Sequence, residues 1–510
     1  MWQEIGAKRG RPVLVPEGYA KQRKRGDADA GAGVRPRNST QRTGKPCTCA
    51  PLPAGTGKES ALCERRKCSH MRNRQAEQHV QAVLAGIANR ARIDRKHRFG
   101  GLYSLLNEEL LRWSFYNLNR SAAPGVDDVT WADYENNLDR NLHVLVAKLK
   151  RKAYRARLLR RHYILKENDK RRPLGIPVLE DKIVQAAAKM VLEAIYEADF
   201  YGYSFAYRPE RGAKDAVREM AFRLQFGPFG WVVDADISGF FVNMNHDWMI
   251  RMLNERINDR AFTGLILKWL KAGVLEDLQT VTHPATGTPQ GGVISPILAN
   301  IYLHYVMDMW FQKRVQTQLQ GKSMMMRYAD DSVSAFQLKV DAEKYLVLLK
   351  ERLARFGLTL SEEKTRLVKF TRYKIHRSES FNFLGFEFRW GLDRNRRPHV
   401  KRRTMRARLR RAIGEMTAWI KEERSAGIRP TMRTLAKKLL GHWNYYGVHY
   451  NSDSLWEFYK HTCRVVFTWL NRRSQRRGYS WARFNAMLAR YQIPRPRIVE
   501  PAVKRRFAMC

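Results

Sequence analysis

Nowhere in this 510-residue chain do 18 apolar residues run together, and no short apolar core of a signal peptide follows the start. Neither a membrane span nor secretion is therefore expected. Cysteine is scarce too: of six, only Cys463 and Cys510 lie beyond residue 70, neither with a partner nearby in sequence. That excludes a disulfide framework and suits a reducing, cytoplasmic setting. Internal repeats are missing, which removes solenoids and propellers. The scarcest class is acid, with 49 Asp and Glu against 94 Lys and Arg and a formal net charge of +45. A compact monomer with that excess repels itself unless a polyanion neutralises it, so nucleic acid is the expected partner.

The charge is uneven. Residues 1–100 carry 22 basic and 8 acidic side chains (+14), residues 101–400 carry 46 and 35 (+11), and residues 401–510 carry 26 and 6 (+20). A run such as KRRTMRARLRR, Lys401–Arg411, is ordinarily a solvated face, but the C-terminal excess is larger than solubility needs. Aromatics are interleaved with it in GHWNYYGVHY and FTWLNRRSQRRGYSW, as stacking on RNA bases requires, although most such rings end in cores. The candidate RNA contacts are Arg402, Arg403, Arg406, Arg410, Tyr445, Tyr446, Arg472, Arg473, Arg476 and Arg477.

Residues 1–75 are rich in Gly, Pro, Arg and Lys without a sustained period and read as a disordered basic leader. Cys47, Cys49, Cys63, Cys68 and His70 could ligate zinc, but their spacing fits no standard finger and zinc is not expected. GTGKES lacks the first glycine of a phosphate-binding loop. Helical patterns begin near Ala76. AAPGVDDVTWADYENNL reads as a turn feeding a capped helix, RHYILKENDKRRPLGIP as a strand pair, Leu179 to Tyr196 as a helix, and FGWVVDADISGFF as an apolar strand ending in carboxylates. SFNFLGFEF is the last strand-like segment, and from about Lys401 the pattern is helical and basic. The expected division is a leader at 1–75, an N-terminal region at 76–235, a sheet region at 236–395 and a helical region at 396–510.

Within MMMRYADDSVSAF, Met324–Phe336, two adjacent carboxylates stand between alternating apolar and polar runs, which reads as a hairpin with Ala329, Asp330 and Asp331 at its tip. Adjacent carboxylates repel unless a divalent cation or a proton neutralises them. Asp236, in VVDADISGFF, ends another apolar strand. Two strands of one antiparallel sheet can bring it beside Asp330 and Asp331, giving the hard oxygen ligands that two Mg²⁺ ions need for in-line phosphoryl transfer. Asp234 faces the same way by alternation and is a rival ligand.

RRPLGIPVLEDKIVQ, YGYSFAYRPERGAKDA, VVDADISGFF, GTPQGGVISPILANIYLH, RYADD, GLTLSEEKT and FLGFEF follow in order from about Arg172 to Phe388. With LLGHWNYYGVHYNSDSL and WLNRRSQRRGYSWARF beyond, the chain resembles, over about 400 residues, the reverse transcriptases with maturase function encoded by bacterial group II introns. The resemblance implies an α+β right-hand polymerase, with fingers, a palm built on an antiparallel sheet and an α-helical thumb, plus a basic helical maturase region. It implies an RNA-directed DNA polymerase whose catalytic and metal-binding triad is Asp236, Asp330 and Asp331, using two Mg²⁺ ions, or Mn²⁺ in their place, and dNTP substrates.

By the same resemblance, Lys166 and Arg172 grip the incoming triphosphate, and Gln290, with Gly291 and Gly292, forms a turn that approaches nucleotide and template. One of Phe240 and Phe241 blocks a ribose 2′-hydroxyl, with Phe241 slightly favoured by its offset from Asp236. Lys364 lies near the nucleotide as a phosphate contact or proton donor. Implied partners are group II intron RNA and a DNA target and primer, in the bacterial cytoplasm or on the nucleoid when bound to DNA, with no membrane. Oligomeric state, a dimer included, stays open. Where relatives often read FFDNIDH this chain reads FFVNMNH, with Val242 and Asn245. No His-Asn-His or paired CxxC segment follows the maturase region, so no endonuclease is expected. An intron-independent reverse transcriptase and an RNA-binding maturase with little polymerase activity remain alternatives.

Overall fold

A computed structural model describes residues 77–165, 171–276, 280–282, 286–288, 291–472 and 478–501. The whole leader, with its Cys and His candidates for zinc, lies outside the described residues. The fold is α+β. Its strands are β1 (Leu159–Leu165), β2 (Arg171–Ile176), β3 (Trp231–Ala235), β4 (Ile237–Ser238), β5 (Val274–Glu276), β6 (Thr280–Thr282), β7 (Ser323–Tyr328), β8 (Asp331–Phe336), β9 (Thr359–Leu360), β10 (Arg366–Lys369), β11 (Phe381–Phe383), β12 (Phe386–Leu392) and β13 (Pro398–Thr404). The helices that matter for the site are α1 (Leu179–Tyr196), α2 (Ala213–Phe226), α3 (Phe240–Asn243), α4 (Ser295–Leu303), α5 (Lys339–Ala354), α6 (Arg406–Glu422), α7 (Ile428–Tyr446), α8 (Ser452–Asn471) and α9 (Trp481–Arg490).

The central sheet runs β10-β3-β8-β7, every neighbour antiparallel. Because side chains alternate across a strand, adjacent apolar residues go to opposite faces. Val233, Ala235, Met325 and Phe336 join a core with α1, α4 and α5, whereas Val232, Met324, Met326, Val333 and Ala335 join a second core with α2 and β11–β13. A sheet covered on both sides reads as nearly continuous apolar strands, which is what FGWVVDA and SMMM show.

A first sheet runs β2-β1-β5-β6, with β1 and β5 parallel and the other pairs antiparallel. Upstream of it, Thr130 caps its helix reciprocally with Asp133, as the sequence predicts. Helices α6 to α9 build a third core from residues including Leu409, Met416, Leu439, Trp443, Phe458 and Phe484.

One expectation needs correcting. The helical region does not begin near 396–401: β13 pairs with β12 from Phe386↔Thr404 to Leu392↔Pro398, and the helix starts at Arg406. Val400, Arg402 and Thr404 are the buried positions of that strand. The period of two was hidden because one inward residue is charged, and it is buried by an ion pair that sequence alone does not reveal.

Candidate active site

The register Tyr328↔Asp331 leaves Ala329 and Asp330 as a two-residue turn between β7 and β8. Ala329 has φ +58 while Asp330 is not among the residues of positive φ. Positive φ at the first turn position alone is the pattern of a II′ turn, whose twist matches the flanking strands. The β3–β8 register ends at Ala235↔Ser332, so the next residue, Asp236, falls opposite Asp331 at the same edge of the sheet. Strand pairing thus gathers three carboxylates separated by about ninety residues of chain.

Their proximity shows in the titration of Asp331, whose carboxyl is pushed up to about 7, first by burial and then by Asp234, Asp330 and Asp236; a hydrogen bond from the Leu384 backbone N–H opposes the rise. Asp234 is also raised, chiefly by burial, although Arg366 Nη2 stands 3.3 Å from its Oδ2 and pulls the other way. Lys364 Nζ lies 2.9 Å from Asp236 Oδ2, and that bond raises the lysine's pKa. Among the described residues, no three His, Cys, Asp or Glu side chains close into a metal cage. The donor set nevertheless fits a hard divalent cation: the oxygens are carboxylate, burial and then the neighbouring carboxylates push the Asp331 carboxyl up, a cost that a cation would relieve, and an ammonium already supplies positive charge at Asp236.

Beside the carboxylates, α3 begins with Phe240, which is 2% exposed and packs on Tyr302 at 6.2 Å, and with Phe241, which is half-buried. The Phe241 carbonyl accepts from Thr288 N–H at 2.8 Å, and His246 Nε2 donates to the Gly287 carbonyl at 2.6 Å. Gln185 of α1 accepts from Val293 N–H at 3.0 Å. Gly291, φ +115, abuts the end of β2, where a Cβ would stand 2.8 Å from the Gly175 carbonyl; only glycine fits. Gly287, Thr288, Gly291 and Val293 are therefore each tied to a different neighbouring element or packed against one. Gln290, Lys166 and the Arg172 side chain lie outside the described residues; the Arg172 backbone pairs with Ile164.

An open cleft of about 550 Å³ adjoins Asp331, lined by Leu384, Gly385, Met405, Arg408, Tyr445 and Tyr446, among others. Leu384 and Gly385, φ +50 and +79, form the tight turn between β11 and β12.

The basic candidates separate. Arg406, Arg410 and Arg472 are exposed, Arg472 lying 5.2 Å over the Trp469 ring. Arg473, Arg476 and Arg477 lie outside the described residues. Arg402, expected to meet RNA, is instead 6% exposed and forms a two-pronged pair with Glu500 at 2.8 Å on both prongs. Arg403 makes a similar fork with Glu387, at 2.7 and 2.8 Å. The Tyr445 hydroxyl donates to the Leu384 carbonyl at 3.0 Å, and the rings of Tyr445 and Tyr446 pack against Phe386, so these tyrosines build the cleft wall rather than a free stacking platform.

Sequence reasoning missed Arg327, Asp308, His246 and Gln185. A lone arginine inside the apolar strand SMMMRY was the available signal for the first.

Residues 164–388 match the family described as reverse transcriptase (RNA-dependent DNA polymerase). The chain is 31% identical over 306 residues to the group II intron-encoded protein LtrA of Lactococcus lactis subsp. cremoris, covering 58% of this chain and 51% of that protein. It is 31% identical over 333 residues to protein YkfC of Escherichia coli K12, covering 62% of this chain and 84% of YkfC. An uncharacterized 91 kDa protein in the cob intron of Schizosaccharomyces pombe is 41% identical over 145 residues, 28% of this chain and 18% of that protein. The match spans about half the length of LtrA. With the ordered sequence blocks, the paired strands that carry the carboxylates and these relatives in agreement, the chain belongs to the reverse transcriptase family, among the reverse transcriptase/maturase proteins of group II introns.

Proposed function

We propose that this protein is an RNA-directed DNA polymerase that copies RNA into DNA and that also holds group II intron RNA as a maturase, assisting splicing and mobility. The observation that carries the polymerase reading is the convergence of Asp236, Asp330 and Asp331 at one edge of the central sheet, where burial first and the neighbouring carboxylates second push the Asp331 carboxyl up to about 7. In right-hand terms the first sheet corresponds to fingers, the central sheet to the palm and α6–α9 to the thumb and maturase region.

The three carboxylates would hold two Mg²⁺ ions, which when bound supply Lewis-acid stabilisation of the attacking and departing oxygens. No side-chain nucleophile is then needed, and the chain's own task is to orient the primer and nucleotide. The cleft beside Asp331 offers an aromatic and basic wall, from Tyr445 and Arg408, to a primer end. Phe241 is the better candidate for the ring that excludes a 2′-hydroxyl, because Phe240 is committed to the core. Lys364, 68% exposed, can move from Asp236 to a triphosphate oxygen. Lys166 and Arg172 would grip the same triphosphate, Arg172 in a bidentate manner. Arg406, Arg410 and Arg472 would contact RNA phosphates.

The test compares wild type with Asp330→Asn. The variant should lose primer extension on an RNA template while keeping intron binding and protein-dependent splicing of a cognate intron at physiological Mg²⁺, since the carboxylates contribute nothing favourable to binding a polyanion. Extension at the wild-type rate refutes the polymerase site; loss of splicing by a folded variant refutes the division of labour.

A further inference from the structure

We propose that Arg327, paired with Asp308 beneath the β7–β8 hairpin, is a positioning residue that fixes the Ala329–Asp330 turn and thereby sets where the Asp330 and Asp331 carboxylates stand. The inference rests on the polymerase reading above and adds to it a part that is neither ligand nor substrate contact. Both side chains of the pair are 0% exposed. A guanidinium has five N–H groups in a fixed fork, and here all five are used. Nε donates to Asp308 Oδ1 at 2.8 Å; Nη2 donates to Asp308 Oδ2 at 2.5 Å and to Ser204 Oγ at 2.7 Å; Nη1 donates to Asn300 Oδ1 at 3.2 Å and to the Ala329 carbonyl at 3.0 Å.

The last of these bonds carries the assignment. Ala329 adopts a left-handed backbone that an alanine ordinarily avoids, and its carbonyl belongs to the peptide that leads directly into Asp330. Anchoring that oxygen on a buried cation orients the peptide plane of the turn. The anchor is itself rigid because it gathers three remote segments. Asn300, on α4, also donates to the Ala206 carbonyl at 2.6 Å. Tyr203 O–H donates to the Asp308 carbonyl at 2.9 Å, and the backbone at 203–205 runs along the outer edge of β7, accepting from Arg327 N–H at 2.9 Å and donating to its carbonyl at 3.0 Å. Stability alone is a poor reason for this arrangement, since well-packed apolar side chains commonly replace a buried ion pair without loss. What apolar side chains cannot replace is the hydrogen bond to the turn.

The test uses Arg327→Lys, Arg327→Lys with Ala329→Gly, and the charge-free Arg327→Met/Asp308→Leu in the full chain. Circular dichroism reports folding, primer extension on an RNA template gives kcat and the dNTP KM, and amide exchange compares residues 329–332 with 231–235. For Arg327→Lys and the charge-free variant we expect kcat to fall by at least about tenfold while KM stays within about threefold, as for a misplaced reacting group. Exchange in 329–332 should rise by about tenfold or more with 231–235 unchanged. Adding Ala329→Gly to Arg327→Lys should restore part of kcat, because glycine holds the left-handed turn without the anchor.

Folded variants with wild-type kcat and wild-type hairpin exchange would overturn the proposal. So would exchange that rises equally at 231–235, or a loss that Ala329→Gly leaves untouched, since either marks a general stability role. If the charge-free variant does not fold, Arg327→Lys decides on the same readouts. If the wild-type protein extends no primer, the polymerase reading fails, and the exchange comparison alone decides the role of Arg327.

Discussion

The Asp331 carboxyl is the residue on which the electrostatics of the site converge. Its proton is held to about 7 in the folded chain against 3.8 for an ordinary aspartate. Between those values the folded state binds more protons than the unfolded one. Stability from this group is complete below about pH 4 and is lost as pH rises through about 7. In EDTA, Asp331→Asn should be nearly neutral at about pH 4 and stabilising above pH 7, on the order of 1–2 kcal/mol, which thermal melts across pH will show. Adding Mg²⁺ should raise the Tm of wild type more than that of the variant, because binding to the folded state stabilises it. The two phenylalanines make a second comparison. Phe241→Ala should let ribonucleotides into the product with little loss of stability, whereas Phe240→Ala, emptying a core position, should destabilise by about 3–5 kcal/mol without relaxing sugar choice. Gel assays with rNTPs and chemical denaturation separate the two. The doublet and Asp236 were legible as carboxylates at the ends of apolar strands, and the strand register brings those ends together. Arg327 was not, because its partners Asp308, Asn300 and Ser204 come from elements that only the folded chain assembles.

At the level of elements, strands and helices with a clean period were readable: α1 runs Leu179–Tyr196 as its apolar repeat predicts, and the β1–β2 pair stands where RHYILKENDKRRPLGIP placed it. The strand β13 was misread as helix because its inward Arg402 breaks the apolar alternation. Glu500, 98 residues away, is what makes that arginine tolerable inside, and the same carboxylate accepts from His449 N–H at 2.9 Å. The pairing holds Glu500 below the usual carboxylate range despite burial, which works the other way. Glu500→Gln leaves a buried guanidinium without its counter-charge, and a loss of about 3–5 kcal/mol is expected in urea unfolding. Arg402→Met/Glu500→Leu should recover much of that loss, which Arg402 as an RNA contact would not predict.

For the whole molecule, the excess of positive charge makes a polyanionic partner the expectation before any motif is read, but it does not say which cations would meet it. The fold makes that choice by consuming some in pairs. Arg402 and Arg403 are bound to carboxylates, whereas Arg406 and Arg410 face outward on α6. RNA affinity should fall steeply with salt, and the Arg406→Ala/Arg410→Ala protein should show a log–log slope shallower by about 0.7–0.9 for each phosphate it no longer neutralises. Arg402→Ala should change unfolding rather than that slope. Filter binding across a salt series distinguishes them.

The two-sided burial of β3 carries a consequence for how such a gene can drift. Val233 belongs to one core and Val232 to the other. Substitutions that keep bulk and apolarity leave this partition intact, but a one-codon insertion or deletion between Trp231 and Asp236 exchanges the faces of every residue beyond it. It would also turn the Asp236 carboxylate away from the hairpin it must meet. Drift in this short strand is therefore open to spelling and closed to length, while the turn at 393–397, which only joins β12 to β13, has no such counting constraint.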